Sequence, residues 1–262
     1  MKRSPGARLC ATAAMGALSL SLLTACSDEG SKDTADSRAS SPSSAASSSS
    51  APAAKPLTTA ELEKLLLAQG ELKGYKVASG DDTLPASKSR VKTDKPACDP
   101  LAWATAGLAP GDTDANASNS VSEDKASAAT AQPTDLADAF DIDMTYVGLS
   151  SYAGDGAEKA MKAVSDGVTA CAGGYGLTGD GETTKVTRTA AEKGAAKGDE
   201  TVAFASDVDM DGEGTATFHT AVVRKGNTVA TFYTVNFAAM AKGGEMGGVP
   251  AAVLDAQVAK LK

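Results

Sequence analysis

Apolar residues crowd the chain from about Leu9 to Leu23, vanish from any periodic pattern over residues 27–56, and return at Leu57 in alternating helix and strand rhythms. Thr58-Thr59-Ala60-Glu61 is a capping box, after which Leu62, Leu65 and Leu66 line one face of a short helix ending before Gly70. Gly74-Tyr75-Lys76-Val77 reads as the entry to a first strand. Asp99-Pro100 starts a second helix, a cap followed by proline, which carries Leu101, Trp103 and Leu108. Residues 109–135 are polar and loop-rich, with a strand near Ser118–Ser122. Phe140, Ile142, Met144 and Tyr146 alternate with Asp141, Asp143 and Thr145, a strand with one wet face. Asp155 caps the next helix, in which Ala157, Ala160, Met161, Val164, Val168 and Cys171 fall on one stripe before Gly173-Gly174.

The remainder predicts a meander. Thr183–Ala190, with Lys185 and Arg188, suits a protected edge strand. Val202, Phe204 and Val208 mark the next strand. Gly226-Asn227 joins two long alternating runs as a two-residue hairpin, placing Phe218 opposite Val235, Thr220 opposite Tyr233 and Val222 opposite Thr231. His219 then falls on the other face, opposite Thr234. Gly243–Gly248 reads as a mobile loop, and Pro250 opens a last helix with Val253, Leu254, Val258 and Leu261 inward. Residues 57–262 thus make one α+β domain: a twisted antiparallel sheet of about five or six strands, with helices packed mainly on one face.

The first apolar run follows Lys2, Arg3 and Arg8 and is too short to span a bilayer, which takes about 20 residues. It reads as a secretory signal peptide. Leu23-Thr24-Ala25-Cys26 at its end resembles the lipobox of bacterial lipoproteins. That likeness implies removal of residues 1–25, a diacylglycerol on Cys26 and an extracytoplasmic site at the cell membrane. Two acyl chains at about 0.8 kcal/mol per buried CH₂ anchor stably where one would be marginal. Residues 26–56 then form a Ser/Ala/Pro tether with a root-mean-square reach of about 30 Å. Losing residues 1–25 takes the formal charge from −8 to −11, which argues against nucleic acid as a partner.

Cys98 and Cys171 remain, an even pair in an oxidising compartment, and are expected to form a disulfide. Asp207-Val208-Asp209-Met210-Asp211-Gly212-Glu213 opens like a calcium loop, but its twelfth position is Phe218 and strands flank it, so it reads as an acidic turn. His219 is the one histidine and no Gly-x-Ser-x-Gly occurs, so no catalytic residue, metal ligand or cofactor site is assigned.

Leu72-Lys73-Gly74-Tyr75, Ala97-Cys98-Asp99-Pro100-Leu101, Ser151-Tyr152-Ala153-Gly154-Asp155-Gly156-Ala157 and Cys171-Ala172-Gly173-Gly174 resemble Actinobacterial lipoproteins related to the extracellular sensor family of protein kinase H. The resemblance covers most of residues 57–262 and implies a twisted antiparallel sheet with kinked helices and a ligand cleft. Those kinase sensors carry a second disulfide on the closing hairpin, whereas residues 215–237 here contain no cysteine. The expected function is a non-enzymatic, lipid-anchored extracellular domain binding a small molecule, cell-wall fragment or protein, with Trp103 near the ligand. A carboxylate-dependent envelope hydrolase and a purely structural surface lipoprotein are the alternatives. Two carboxylates facing across a deep cleft would mark the hydrolase, and an apolar cleft the binder.

Overall fold

A computed structural model describes residues 55–79, 84–125, 141–179, 181–212, 214–242 and 244–261. The signal peptide, the lipobox with Cys26, most of the tether, Phe140 and Glu213 lie outside the described residues. The elements in order are α1 (Thr59–Leu65), β1 (Tyr75–Ser79), β2 (Val91–Thr93), α2 (Asp99–Thr105), β3 (Asn116–Glu123), β4 (Asp143–Ser151), α3 (Gly156–Ala170), β5 (Tyr175–Gly179), β6 (Glu182–Glu192), β7 (Glu200–Asp209), β8 (Thr215–Lys225), β9 (Thr228–Asn236), α4 (Phe237–Lys242) and α5 (Ala251–Lys260). All neighbouring strands are antiparallel, in the order β1-β3-β4-β9-β8-β7-β6-β5-β2. The α+β class holds, with nine strands among the described residues in place of five or six.

Helices cover both faces of the sheet, not mainly one. Side chains alternate along β8, so Val222 packs under α2 and α3 with Phe204 and Val229, while Ala221 and Val223 pack under α1 and α5 with Phe232 and Ala230. A central strand buried on both faces loses the wet side that alternation predicts, and β9 is buried at all positions but one. Thr234 accordingly pairs its hydroxyl with Thr145 at 3.0 Å, inside the core.

The α3 stripe is buried at each of its six predicted positions. A helix of this length is marginal alone in water, so that packing holds it. Asp155 occupies the cap position without a cap hydrogen bond and pairs with Lys159 at 2.8 Å. Asp99, expected as a cap, is instead the first helical residue after the cap Cys98, its carboxylate taking the Thr93 hydroxyl at 2.7 Å. The Gly226-Asn227 turn sets Thr220 opposite Tyr233 and Val222 opposite Thr231.

Two other expectations are corrected, and one element is new. β6 pairs on both sides and is not an edge; it is polar because it lies largely beyond the helix cover, and the edges are β1 and β2. Residues 244–246 are tied down, with Met246 buried and its amide donating to Thr217 at 2.8 Å. Before them stands the unforeseen α4, whose entry Asn236 accepts from the Ala239 amide at 2.9 Å.

The capping box is present in full: Thr58 accepts from the Glu61 amide at 3.3 Å and donates its own amide to the Glu61 carboxylate at 2.8 Å. Those bonds hold Glu61 below its ordinary pKa, so the cap is intact at neutral pH and is lost as pH falls through the lowered value. Thr58→Ala should cost about 1 kcal/mol. Calorimetry should register this as a loss of about 2–4 °C in Tm; an unchanged Tm would mean that α1 does not depend on its cap.

Candidate functional site

The described residues of β1 pair with β3 from Glu123 to Asn119, and Asn116, Ala117 and Ser118 follow that pairing along β3. A cleft of about 1120 Å³ opens there, bounded by the end of α1, residues 84–90, the loop at Leu108 and Ala109, and Lys260 at the end of α5. It suits a ligand at the large end of the small-molecule range.

The α1 wall is held by side chains from far along the chain. A helix end leaves carbonyls without partners. Here Gln257 Nε2 donates to the Leu65 carbonyl at 2.8 Å, Lys260 Nζ to Leu66 at 2.7 Å, and Asn119 Nδ2 to Leu67 at 2.8 Å. Gln257 Oε1 also accepts from the Leu67 amide at 2.9 Å. Lys260 reaches Glu71 as well, and that contact with the Ala68 amide holds the Glu71 carboxyl below its usual range. A general acid needs the opposite shift.

On the other wall Lys88 donates to the Gly111 carbonyl and lies 4.7 Å from the centre of the Trp103 ring. Burial pushes its pKa down, with Asp112 and Asp114 pulling it back up. Trp103 is half-buried and donates from Nε1 to the Val91 carbonyl at 3.4 Å. It does not line the cleft but meets it through Lys88. The lining mixes apolar and polar groups and includes the carboxylates of Glu63, Glu71 and Asp114. Leucines and alanines from 66, 67, 108, 109 and 117 sit among charged and hydroxyl side chains.

The other candidates lie elsewhere. Cys98 and Cys171 are bonded, with both side chains fully buried. His219 faces Glu192 with Nδ1 at 3.0 Å and Glu245 with Nε2 at 3.6 Å, on β8 and away from the cleft. In the acidic turn Asp207 accepts from the Thr217 hydroxyl at 2.8 Å and Asp209 from the Gly212 amide at 3.1 Å. Among the described residues no three His, Cys, Asp or Glu side chains converge as metal ligands, and no helix is long and apolar enough to cross a membrane. Sequence reasoning missed Lys88, Gln257 and Asn116. Gln257 alone left a signal, a polar residue at a position of the apolar stripe of α5.

No family model matches this chain, nor does any curated protein. Among solved structures it is similar to the extracellular domain of PknH from Mycobacterium tuberculosis, at 15% identity and a TM-score of 0.44, over 79% of this chain and 95% of that one.

Proposed function

We propose that this protein is a lipid-anchored, extracytoplasmic binding domain that takes its ligand in the cleft beside Asn116–Ser118. The observation that carries this reading is the cleft itself, whose α1 wall is clamped by three side chains from β3 and α5. Such pre-ordering lowers the entropy that binding must overcome. The lipobox supports the anchor, and the Ser/Ala/Pro segment supports a tether holding the domain off an anionic surface that its own charge repels.

An envelope extract should slow amide exchange at residues 65–71 and 84–90 saturably and without turnover. Protection confined to other surfaces would refute the cleft, and turnover lost on changing a cleft carboxylate would favour the hydrolase. Independently, Cys26→Ala should move the protein from the detergent phase to the aqueous phase and leave the precursor uncut. Mass spectrometry finding a mature N-terminus other than a lipidated Cys26 would end the anchor reading.

A further inference from the structure

Resting on the cleft as the binding site, we infer that its ligand is a neutral polyhydroxylated chain, a glycan, whose hydroxyls follow a line of unpaired polar atoms from Asn116 across the sheet to Thr189. Among the described residues six buried side-chain polar atoms lack a hydrogen-bond partner. One, Asn119 Oδ1, lies on the α1 side of the sheet, where the Asn119 amide meets Leu67. The other five are Asn116 Oδ1 and the hydroxyls of Thr231, Thr220, Ser206 and Thr189. All five share the face that α2 and α3 cover. Thr231 stands opposite Val222, Thr220 two residues before Val222, Ser206 two residues after Phe204, and Thr189 opposite Ser206. Each hydroxyl is thus opposite or diagonal to the next, within about 8 Å.

The line starts at the cleft. Asn116 lines the cleft and donates from Nδ2 to the Gly107 carbonyl at 3.2 Å. Gly148 pairs with Ser118 on one side and Thr231 on the other, and a Cβ on it would stand 2.6 Å from the Thr231 hydroxyl. The same Cβ would strike the Gly107 carbonyl, so a bare Gly148 lets cleft wall and hydroxyl line meet. Thr231, Thr220, Ser206 and Thr189 are each at most 4% exposed. Leaving one such hydroxyl unpaired is costly, and four in a row mark a place where stability yields to function. The chemistry of the face selects the ligand. No side chain on this face of β3, β4 or β9, of β8 from Ala216 to Val222, or of β7 from Val202 to Val208 is charged. A charged group would lose its water there without gaining a counter-ion. A hydroxyl both donates and accepts, so a row of them matches a ligand built the same way. Tyr146 and Tyr233 flank the line as a cross-strand pair, and Tyr233 stacks on Phe218 with ring centres 5.5 Å apart. Such rings suit the carbon face of a sugar. Leu84 lines the cleft and also packs against the Tyr146 and Phe218 cluster, so it is the side chain an entering ligand displaces.

Two sources supply this chemistry, an acetamido-sugar glycan like the wall backbone and a plain hexose glycan. The probes are chitotetraose for the first and cellotetraose and maltotetraose for the second, with tetragalacturonate as the charged control. One neutral probe should shift the Thr220 and Thr231 methyl NMR signals saturably, and the probe that does so names the source. Thr220→Val and Ser206→Ala each remove an unpaired group, so each should raise Tm by about 2–4 °C. Each should also weaken the sugar about tenfold, which a merely structural role would not do. A lowered Tm in both variants means that the hydroxyls are paired and overturns the line. A raised Tm with unchanged affinity, or equal binding of tetragalacturonate, overturns the glycan assignment. Protection of 65–71 and 84–90 by the envelope extract, with no sugar moving either methyl, overturns this inference and leaves the cleft standing. No protection by the extract and no shift with any sugar removes both.

Discussion

Replacing Cys98 and Cys171 together by Ala should lower the melting temperature by about 10–15 °C. The bridge closes a loop of 73 residues. In the chain-entropy model this stabilises the fold by about 4 kcal/mol, and a domain of this size loses about 2–4 °C per kcal/mol. Typical total stability is about 5–15 kcal/mol, so the variant would sit near the folding threshold at growth temperature. The local effect is sharper. α2 has seven residues, too few to stand alone, and the bridge pins its start to the end of α3. Leu108 and Ala109, just beyond α2, line the cleft, so ligand affinity should fall along with stability. Because both sulfurs are fully buried, the native protein should resist reductants that cleave the bond in denaturant. Two reactive thiols in the folded protein, or an unchanged melting temperature, would contradict this.

What the sequence disclosed follows from the range of the forces involved. Elements governed by local periodicity were readable: the capping box, the α3 stripe, the inward residues of α5 and the Gly226-Asn227 hairpin are each written within about a dozen residues. Placement in the sheet was not. Polar β6 resembled an edge because side-chain exposure reports helix cover, while edge status reports hydrogen bonding, and the two part where the sheet outruns its helices. β2, three residues long, and Gly-rich β5 fall below any pattern threshold, so the strand count came out low. Helix cover on both faces depends on whether α1 and α5 cross to the side opposite α2 and α3, which no local pattern records. The cleft was least legible. It gathers residues near 64, 88, 109, 117 and 260, which come from separate parts of the chain and of which none lies within a motif.

Gln257→Leu should destabilise the domain by about 2–4 kcal/mol and should loosen the cleft more than its cost in stability alone implies. Leucine nearly matches glutamine in volume and continues the apolar stripe of Val253, Leu254 and Val258, so a pattern argument would rate the change as harmless or favourable. The structure argues otherwise. Gln257 is fully buried and meets the Leu67 amide and the Leu65 carbonyl together. Removing it strands a donor and an acceptor where water does not reach, at about 1–3 kcal/mol each, partly recovered by apolar burial. Leu66 and Leu67 lie in the cleft lining, and the stranded groups would regain partners by moving that turn outward. Denaturant unfolding should show the stability loss. Hydrogen exchange should show the Leu67 amide opening before the α3 amides, which Thr58→Ala should not cause, since it acts at the other end of α1. Equal stability with a protected Leu67 amide would mean that α5 does not clamp the cleft wall through this side chain. Faster Leu67 exchange with unchanged binding of the envelope extract would place the ligand away from the α1 wall.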